Sequence, residues 1–138
     1  MKCKIKLEHG AILPVKNKKN DNCYDIFSNE YNIINNGYTS VIKTGVKVSP
    51  EPGWGIAVRP RSGKSMKGII LGGGEIDNGY RGEIGVIIHN FTGEKLTIEK
   101  GEKIAQIRPI RIEDIDFEIV DKLDDTDRGE SGFGSSGE

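Results

Sequence analysis

The sequence lacks a hydrophobic run long enough to cross a membrane, and no apolar segment of the kind found in signal peptides follows Met1. We therefore expect a protein of the cytoplasm or nucleus that does not bind membranes. Cysteine is also scarce. Cys3 and Cys23 have no metal-ligand spacing and favour a reducing compartment, although they leave a single disulfide open.

The net charge is small: the sequence has 20 Lys and Arg residues and 21 Asp and Glu residues, which gives a formal charge of −1. Without a basic excess there is no electrostatic basis for nucleic-acid binding, and we expect no nucleic-acid partner. The two histidines, His9 and His89, are isolated in the sequence. They indicate neither a zinc centre nor a histidine nucleophile.

Helical periodicity is missing from every ten-residue window, whereas short alternating stretches recur between turn residues. The 19 glycines and 5 prolines show no repeat and indicate many turns. Met1 to Leu7 predicts a half-buried first strand, and Ile115, Phe117 and Ile119 predict the last strand. The pattern is typical of an all-β sandwich or barrel. We expect one domain over residues 1–120 and a flexible, glycine-rich C-terminal arm over residues 121–138.

Two familiar phosphate-binding motifs are incomplete. Gly63-Lys64-Ser65 resembles the end of a P-loop, but Val58 stands where the first glycine is needed and no long helix follows. The segment 132–137 formally matches G-x-G-x-x-G, yet only Glu138 follows it. Neither motif therefore predicts a nucleotide-binding α/β fold.

The stretch from Gly74 to Ile88 combines several reactive groups. Asn78-Gly79 predicts a two-residue type I′ turn, and hence a β-hairpin. The tip of this hairpin carries the carboxylate of Asp77, the phenol of Tyr80 and the guanidinium of Arg81. A solvated turn would also be charged, so this stretch alone does not decide between a site and a surface turn.

Three further pieces carry groups that suit phosphate binding: Arg61-Ser62-Gly63, Gln106, and Arg128 with Gly134-Ser135-Ser136. Glycines expose main-chain N–H groups, hydroxyls donate hydrogen bonds, and arginine binds phosphate oxygens bidentately. We expect Ser62 to cap a single helical turn that runs through Lys67.

Acids accompany these groups. Asp25 lies inside a short apolar run, and Asp77 lies in the predicted turn. Acids beside phosphate binders predict magnesium-assisted phosphate-ester chemistry. Phe133, flanked by glycines, could lie flat on a planar ring, although the composition of its surroundings is also that of a disordered tail.

Together these pieces resemble the five ordered motifs of the trimeric dUTPase family, and the match runs from about residue 22 to the end of the chain. One such motif is weak evidence, whereas five in order are specific. The matching segments are residues 22–26, residues 60–63 with 67–68, residues 74–77 with 80–84, residues 101–107, and residues 128–137.

The resemblance implies a distorted jelly-roll β-barrel that assembles as a homotrimer, with three active sites that each draw on all three chains. It implies hydrolysis of dUTP to dUMP and pyrophosphate with Mg²⁺, which limits uracil incorporation into DNA and supplies dUMP for dTMP synthesis. The C-terminal arm would act as a lid from a neighbouring subunit.

The resemblance also implies roles for single residues. Asp77 would activate the water that attacks the α-phosphorus, and Asp25 would support hydrated Mg²⁺ through water. Tyr80 would pack under the deoxyribose and exclude a 2′-hydroxyl. Uracil would be recognised by backbone near Gly74, Ile76 and Gly85, in a hairpin too narrow for a 5-methyl group. The phosphates would be bound by Arg61, Ser62, Gly63 and Gln106. The lid would comprise Arg128, Phe133, Gly134, Ser135 and Ser136.

Several positions depart from the family pattern without removing one of these groups. Asn22-Cys23 replaces the usual Ala-Gly, Lys64 replaces an apolar Leu, and Lys103 replaces Arg. Gly79 stands where Asp is common, and Ser131 and Ser136 replace Gly and Thr.

Two other functions are compatible with parts of the sequence. A dCTP deaminase, or a bifunctional deaminase and diphosphatase, would share the fold but lacks the Tyr80-Arg81-Gly82 stretch in this form. A catalytically silent trimer that binds a regulatory partner would not need Asp77, Arg61, Gln106 and Arg128 together, although an additional binding role stays open.

Overall fold

Alternating apolar residues produce the central strands of the fold. In Glu83–Asn90 the side chains of Ile84, Val86 and Ile88 are fully buried, whereas the intervening residues face outward. This period of two is what a strand requires when one face lies on a core. The structure is a computed structural model that describes residues 1–132.

Ten strands and one short helix make up the described chain. The strands are β1 (Cys3–Leu7), β2 (Tyr24–Phe27), β3 (Asn32–Ile34), β4 (Thr39–Pro50), β5 (Trp54–Arg59), β6 (Ile69–Gly72), β7 (Glu75–Ile76), β8 (Glu83–Asn90), β9 (Leu96–Ile98) and β10 (Lys103–Arg111), and the helix is α1 (Ser62–Ser65).

The strands form two four-stranded antiparallel sheets, in the orders β1-β4-β8-β6 and β2-β10-β5-β7, and a ribbon of β3 and β9. Both sheets contribute to one hydrophobic core, in which Ile42, Ile88 and Ile104 are fully buried. Burying such a side chain contributes about 1.5–3 kcal/mol. The all-β jelly-roll prediction is confirmed.

Asn90 is a polar residue at the centre of this fold. Its Nδ2 donates to the carbonyl oxygens of Ile34 (2.8 Å) and Glu94 (2.7 Å), and its Oδ1 accepts from the N–H of Thr92 (3.0 Å). The side chain is therefore satisfied although the residue is 0% exposed. It ties the end of β3 to the β8–β9 connection.

The predicted hairpin between Gly74 and Ile88 is wrong. β7 pairs with β5 in one sheet, whereas β8 pairs with β4 and β6 in the other. The stretch between them therefore passes from one sheet to the other. The N–H of Tyr80 does donate to the carbonyl of Asp77 (3.0 Å), but Gly79 is not among the glycines with positive φ, so the type I′ turn is also wrong.

Both predictions for the ends of the chain need correction. β1 is not half-buried, since all five of its residues are exposed even though it pairs with β4. Residues 112–120 form no strand within the described chain. Their alternating apolar residues lie on the surface, because no edge of either sheet in the same chain takes them up.

Cys3 and Cys23 are both free thiols, so no disulfide joins them. Cys3 is exposed as a residue, but partial desolvation of its sulfur raises the pKa of the thiol, although a main-chain hydrogen bond from Ser49 and the charge of Arg81 act in the opposite direction. Among residues 1–132, no helix has the length and apolar character needed to cross a membrane.

Candidate active site

The connection from β5 into α1 presents the first group of predicted site residues. Arg61 is extended, with φ −94° and ψ 130°, and is the N-cap of α1. The prediction that Ser62 caps the helix is wrong, because Ser62 is its first residue and no side chain caps it. The N–H groups of Lys64 and Ser65 donate to the carbonyl of Arg61, whereas the hydroxyl of Ser62 and the N–H groups of Ser62 and Gly63 are left for another acceptor.

An open cleft of about 580 Å³ brings five predicted residues together. Strand β10 explains this, since Gln106 is paired with Asp25 of β2 on one side and with Arg59 of β5 on the other. The Nε2 of Gln106 also donates to the carbonyl of Pro60 (2.8 Å). The cleft is lined by Asp25, Arg61, Ser62, Gly63 and Gln106 together with Asn17, Asp21, Lys64 and Lys67.

Asp25 is the buried acid of this cleft, with only 8% of the residue exposed. Its Oδ1 lies 3.2 Å from the Nε of Arg61, and its Oδ2 lies 2.9 Å from the Nζ of Lys103. Both carboxylate oxygens therefore face a cation, which compensates for the burial of the charge. The pair with Arg61 also orients that guanidinium.

The role of Lys103 was missed by the sequence analysis, which noted only that it replaces an arginine. Its ion pair with Asp25 reaches across 78 positions of the chain, from the start of β10 to β2. The spacing of charges in the sequence gives no signal of such a contact. The pairing of β10 with β2 is the structural cause.

The acids of the cleft do not form a closed metal cage. Within residues 1–132, no group of three or more His, Cys, Asp or Glu side chains could hold a metal ion. Asp21 and Asp25 both line the cleft, but the two oxygens of Asp25 already face Arg61 and Lys103. This donor set fits a hydrated metal contacted through water rather than direct ligation by several carboxylates.

Lys64 forms an ion pair with Glu102, in the turn before β10. Burial alone would raise the pKa of the Glu102 carboxyl, but hydrogen bonds from Lys64 and from the N–H of Glu99 outweigh it, and the pKa is lowered. The pair joins α1 to the segment that leads into Lys103. A charged residue at position 64 is thus accommodated by an opposite charge.

A second group of predicted residues lies around the turn formed by residues 77–80, here called the Asp77 turn. The carboxylate of Asp77 is exposed, and within the described chain it has no hydrogen-bond or ion-pair partner. Tyr80 is 45% exposed, and its Oη donates to the carbonyl of Glu83 (3.0 Å). The guanidinium of Arg81 folds back onto the carbonyls of Asn78 and Tyr80.

Two glycines beside this turn lie close to other parts of the chain, and at Gly74 both the backbone angle and a carbonyl oxygen oppose a side chain. Gly74 has φ +123°, and a Cβ there would lie 2.9 Å from the carbonyl oxygen of Val58. At Gly85 a Cβ would lie 2.6 Å from the Cγ1 of Val41. Ile76, between them in sequence, is half-buried and pairs with Ile56 of β5.

A single chain does not bring the two groups together. Ile76 is opposite Ile56, and the chain runs five further residues along β5 and beyond to Arg61. At about 3.3 Å per extended residue, this separation is about 16 Å. Asp77 and the cleft lined by Asp25, Arg61 and Gln106 therefore lie at different places on the same chain.

The predicted lid is described only at its start. Arg128 is exposed, and its Nε donates to the carbonyl of Ser131 (3.1 Å) within the same turn. The predicted lid residues Phe133, Gly134, Ser135 and Ser136 lie outside the described residues.

A sequence model of the dUTPase family matches residues 9–137. The chain belongs to the dUTPase family. It is 39% identical over 134 residues to the deoxyuridine 5′-triphosphate nucleotidohydrolase of Mus musculus, covering 96% of this chain and 83% of the mouse protein. It is 41% identical over 138 residues to the enzyme of the same name from Clostridium tetani, covering 97% and 95%.

Solved dUTPases have the same fold. A mutant dUTPase of Staphylococcus bacteriophage 80alpha with dUpNHpp matches with a TM-score of 0.87 and 33% identity, covering 99% of this chain and 98% of the phage chain. A mutant dUTPase of the S. aureus phage phi11, described with a structural Mg(II) ion, matches with a TM-score of 0.81 and 28% identity, covering 89% and 99%.

Proposed function

We propose that this member of the dUTPase family hydrolyses dUTP to dUMP and pyrophosphate in the cytoplasm or nucleus. The observation that carries the proposal is the cleft in which Arg61, Ser62 and Gln106 converge beside Asp25. In the cell this reaction limits uracil incorporation into DNA and supplies dUMP for dTMP synthesis.

The cleft binds the triphosphate. Arg61, held by Asp25, donates to phosphate oxygens, and Ser62 and Gly63 add a hydroxyl and main-chain N–H groups. Gln106 contributes its side-chain amide beside them. Phosphoryl transfer needs little covalent chemistry from the protein, so neutralising and positioning the phosphates supplies much of the catalysis.

Asp77 supplies the general base. Its exposed carboxylate, with no partner in the described part of the chain, is available to take a proton from water. The water oxygen then bonds to the α-phosphorus, the bond from that phosphorus to the bridging oxygen breaks, and pyrophosphate leaves. Asp77 also meets the 3′-hydroxyl of the sugar.

The Asp77 turn also selects the nucleoside. The Tyr80 ring packs under the deoxyribose and leaves no room for a 2′-hydroxyl. Main-chain groups at Gly74, Ile76 and Gly85 read uracil. Because β7 and β8 do not form the hairpin predicted from the sequence, this recognition falls to the main chain of two strands in different sheets. The main chain at these positions approaches the base too closely to accept a 5-methyl group, which excludes thymine.

Mg²⁺ is the proposed cofactor. When bound, it neutralises triphosphate charge and polarises the α-phosphate. The triphosphate oxygens and water would be its ligands, with Asp25 in contact through water. Omission of Mg²⁺ should weaken binding of dUpNHpp in calorimetry as well as abolish turnover.

A homotrimer with shared sites accounts for the separation of Asp77 from the cleft. In such an assembly the Asp77 turn of one chain completes the cleft of another. The lid then comes from a third chain, with Phe133 over uracil, Arg128 on the γ-phosphate and Gly134, Ser135 and Ser136 closing the site.

Surface chemistry supports contact between copies. In the segment after β10, Ile115, Phe117 and Ile119 are 71%, 81% and 99% exposed. Apolar exposure of this kind marks an interaction surface. The acids Asp114, Asp116 and Glu118 alternate with these residues.

The edge strand β1 has the complementary pattern. It alternates Lys4 and Lys6 with Cys3, Ile5 and Leu7, all exposed. An acidic, apolar segment of one copy and a basic, apolar edge of another can pair by strand addition. This match supports docking of the arm on a neighbouring chain.

The deciding experiment measures pyrophosphate release from dUTP with Mg²⁺, beside dCTP, dTTP and UTP, with Asp77→Asn as control. Release from dUTP alone, lost in the variant, supports the proposal. Ammonia from dCTP would instead indicate a deaminase. A folded trimer that releases neither product would indicate a binding protein.

A further inference from the structure

Asn78 fastens the Asp77 turn to another segment of the chain. Its Nδ2 donates to the main-chain carbonyls of Trp54 (2.8 Å) and Glu51 (2.9 Å), and approaches that of Pro50 (3.3 Å). An amide nitrogen carries two hydrogens, so the two shorter bonds use both and the longest contact is shared. All three acceptors lie on or beside the β4–β5 connection.

That connection is itself well anchored. The N–H of Glu51 donates to the carbonyl of Lys2 (3.1 Å), which ties the connection to the start of the chain beside β1. The N–H of Ile112 donates to the carbonyl of Gly53 (2.9 Å), which ties it to the end of β10. Asn78 therefore bonds to a fixed platform rather than to a free loop.

The Asp77 turn has few other restraints. β7 contributes two residue pairs with β5, and the bonds of Arg81 and Tyr80 stay within the stretch itself. The next tie to another segment is at Glu83, whose carboxylate accepts the N–H of Gly45 (2.6 Å). From residue 77 to residue 82, Asn78 makes the side-chain bonds that reach elsewhere in the described chain.

We propose that Asn78 is a positioning residue for dUTP hydrolysis, whose amide holds the Asp77 carboxylate where it meets the attacking water. The inference rests on the proposed function. The cleft of the same chain lies about 16 Å from the turn, so Asp77 acts at the cleft of a neighbouring copy. The turn therefore has to keep its shape without contacts to the cleft of its own chain. Asn78 provides this restraint from within the chain.

The test compares Asn78→Ala with wild type and with Asn36→Ala in the full-length protein. Asn36 is a matched control, because it also precedes a glycine and its Oδ1 accepts a main-chain N–H, that of Gly93 (2.9 Å), away from Asp77. We expect Asn78→Ala to lower kcat by about 10- to 100-fold, as a small misplacement of a base does. Binding of dUpNHpp should fall by a smaller factor than kcat, since the phosphate cleft is intact and only the nucleoside contacts of the turn are loosened.

Asn36→Ala should lower Tm while leaving kcat within about twofold of wild type. A kcat within that range for Asn78→Ala, or equal losses of kcat in the two variants, would overturn the inference. If Asn78→Ala does not fold, Asn78→Ser, which keeps a shorter donor, carries the same comparison.

Asn78→Asp adds a readout that a loss of stability would not move. At neutral pH it places a carboxylate against three carbonyl oxygens, so its kcat should fall below that of Asn78→Ala. In acid the carboxyl of Asn78→Asp gains a proton that it can donate to a carbonyl oxygen. The kcat of Asn78→Asp divided by the kcat of Asn78→Ala should therefore rise as the pH falls. A ratio independent of pH would count against the inference.

Failure of the proposed function would be recognised separately, as a wild-type protein that releases no pyrophosphate from dUTP. Amide hydrogen exchange at residues 77–80 then tests the restraint without turnover. Faster exchange in Asn78→Ala than in wild type supports it, and unchanged exchange overturns it.

Discussion

The two acids of the site differ because their neighbours differ. Asp25 is buried between Arg61 and Lys103, so its charge is committed to holding those cations. Asp77 is exposed and has no partner in the described chain. A carboxylate that must accept a proton during the reaction suits the second environment, and one that orients a phosphate ligand suits the first.

Asp77→Asn should leave dUpNHpp binding nearly unchanged and lower kcat by several orders of magnitude, because it removes the base and no phosphate contact. Pyrophosphate release and calorimetry with dUpNHpp measure the two effects. Unchanged turnover would remove Asp77 from the mechanism.

Tyr80→Ala should narrow the preference for dUTP over UTP, because space opens beneath the sugar where a 2′-hydroxyl can fit. The ratio of kcat/KM for the two substrates is the measurement. Tyr38→Ala is a suitable control, since Tyr38 is 69% exposed and remote in sequence from the turn. An unchanged ratio would contradict the sugar-sensing role.

Residue chemistry was predictable where short motifs carry it. Local sequence patterns predict Asp25, Arg61 and Gln106 as site residues, and the structure brings them into one cleft. Lys103 and Asn78 were not given a role, because their partners lie 78 and 24 positions away. Those contacts depend on strand register and on the path of the β4–β5 connection, neither of which local composition specifies.

At the scale of elements, the Lys64–Glu102 pair links α1 to the turn before β10. The folded-state pKa of Glu102 is lowered, so its carboxylate stabilises the fold fully above its unfolded pKa of about 4.3, and this contribution is lost as pH falls through the folded pKa.

Glu102→Gln should therefore lower Tm at neutral pH, and the difference from wild type should shrink as pH falls below about 4. Thermal unfolding followed across this pH range measures it. Glu113→Gln is the control, because the Glu113–Arg111 pair is highly exposed and contributes little. A Tm difference that does not depend on pH would contradict the linkage.

Element prediction succeeded where burial alternates within one strand, as in β8, and failed where pairing is decided elsewhere. Asn78-Gly79 resembles a hairpin turn, yet β7 and β8 belong to different sheets. The Asn78 side chain bonds to the β4–β5 connection, so the turn satisfies a contact across the chain rather than a hairpin ladder. The residues around Phe117 alternate correctly but have no strand partner among residues 1–132 of their own chain.

At the scale of the whole molecule, the arm is expected to serve catalysis and not folding. A chain that lacks residues 126–138 should remain folded and trimeric but have little activity. The reason is that none of residues 126–132, the described part of the removed segment, belongs to the hydrophobic core. Sedimentation and Tm report assembly, and pyrophosphate release reports activity. Unfolding of the truncated chain would show a structural role.

The proposed trimer, in which sites are shared between chains, predicts complementation between defective chains. Trimers mixed from Asp77→Asn and Arg61→Ala chains in equal amounts should recover up to about one quarter of wild-type activity, since a site that takes each residue from a different chain is intact at that frequency. Refolded mixtures are assayed beside each variant alone. Absence of recovery in confirmed mixed trimers would place both residues of a site on one chain.

The amide of Asn78 has a consequence for the lifetime of the protein. In an Asn-Gly pair the glycine nitrogen can attack the asparagine side-chain carbonyl and expel ammonia, and hydrolysis of the ring leaves an acid. The bonds of Asn78 to Trp54 and Glu51 hold its side chain away from that rearrangement. Old protein in which these bonds have opened would carry an aspartate or isoaspartate at position 78. Such molecules would accumulate as folded enzyme with a lower kcat. The mass of the peptide that contains residue 78 would report the deamidated fraction of a preparation, which a protein concentration does not.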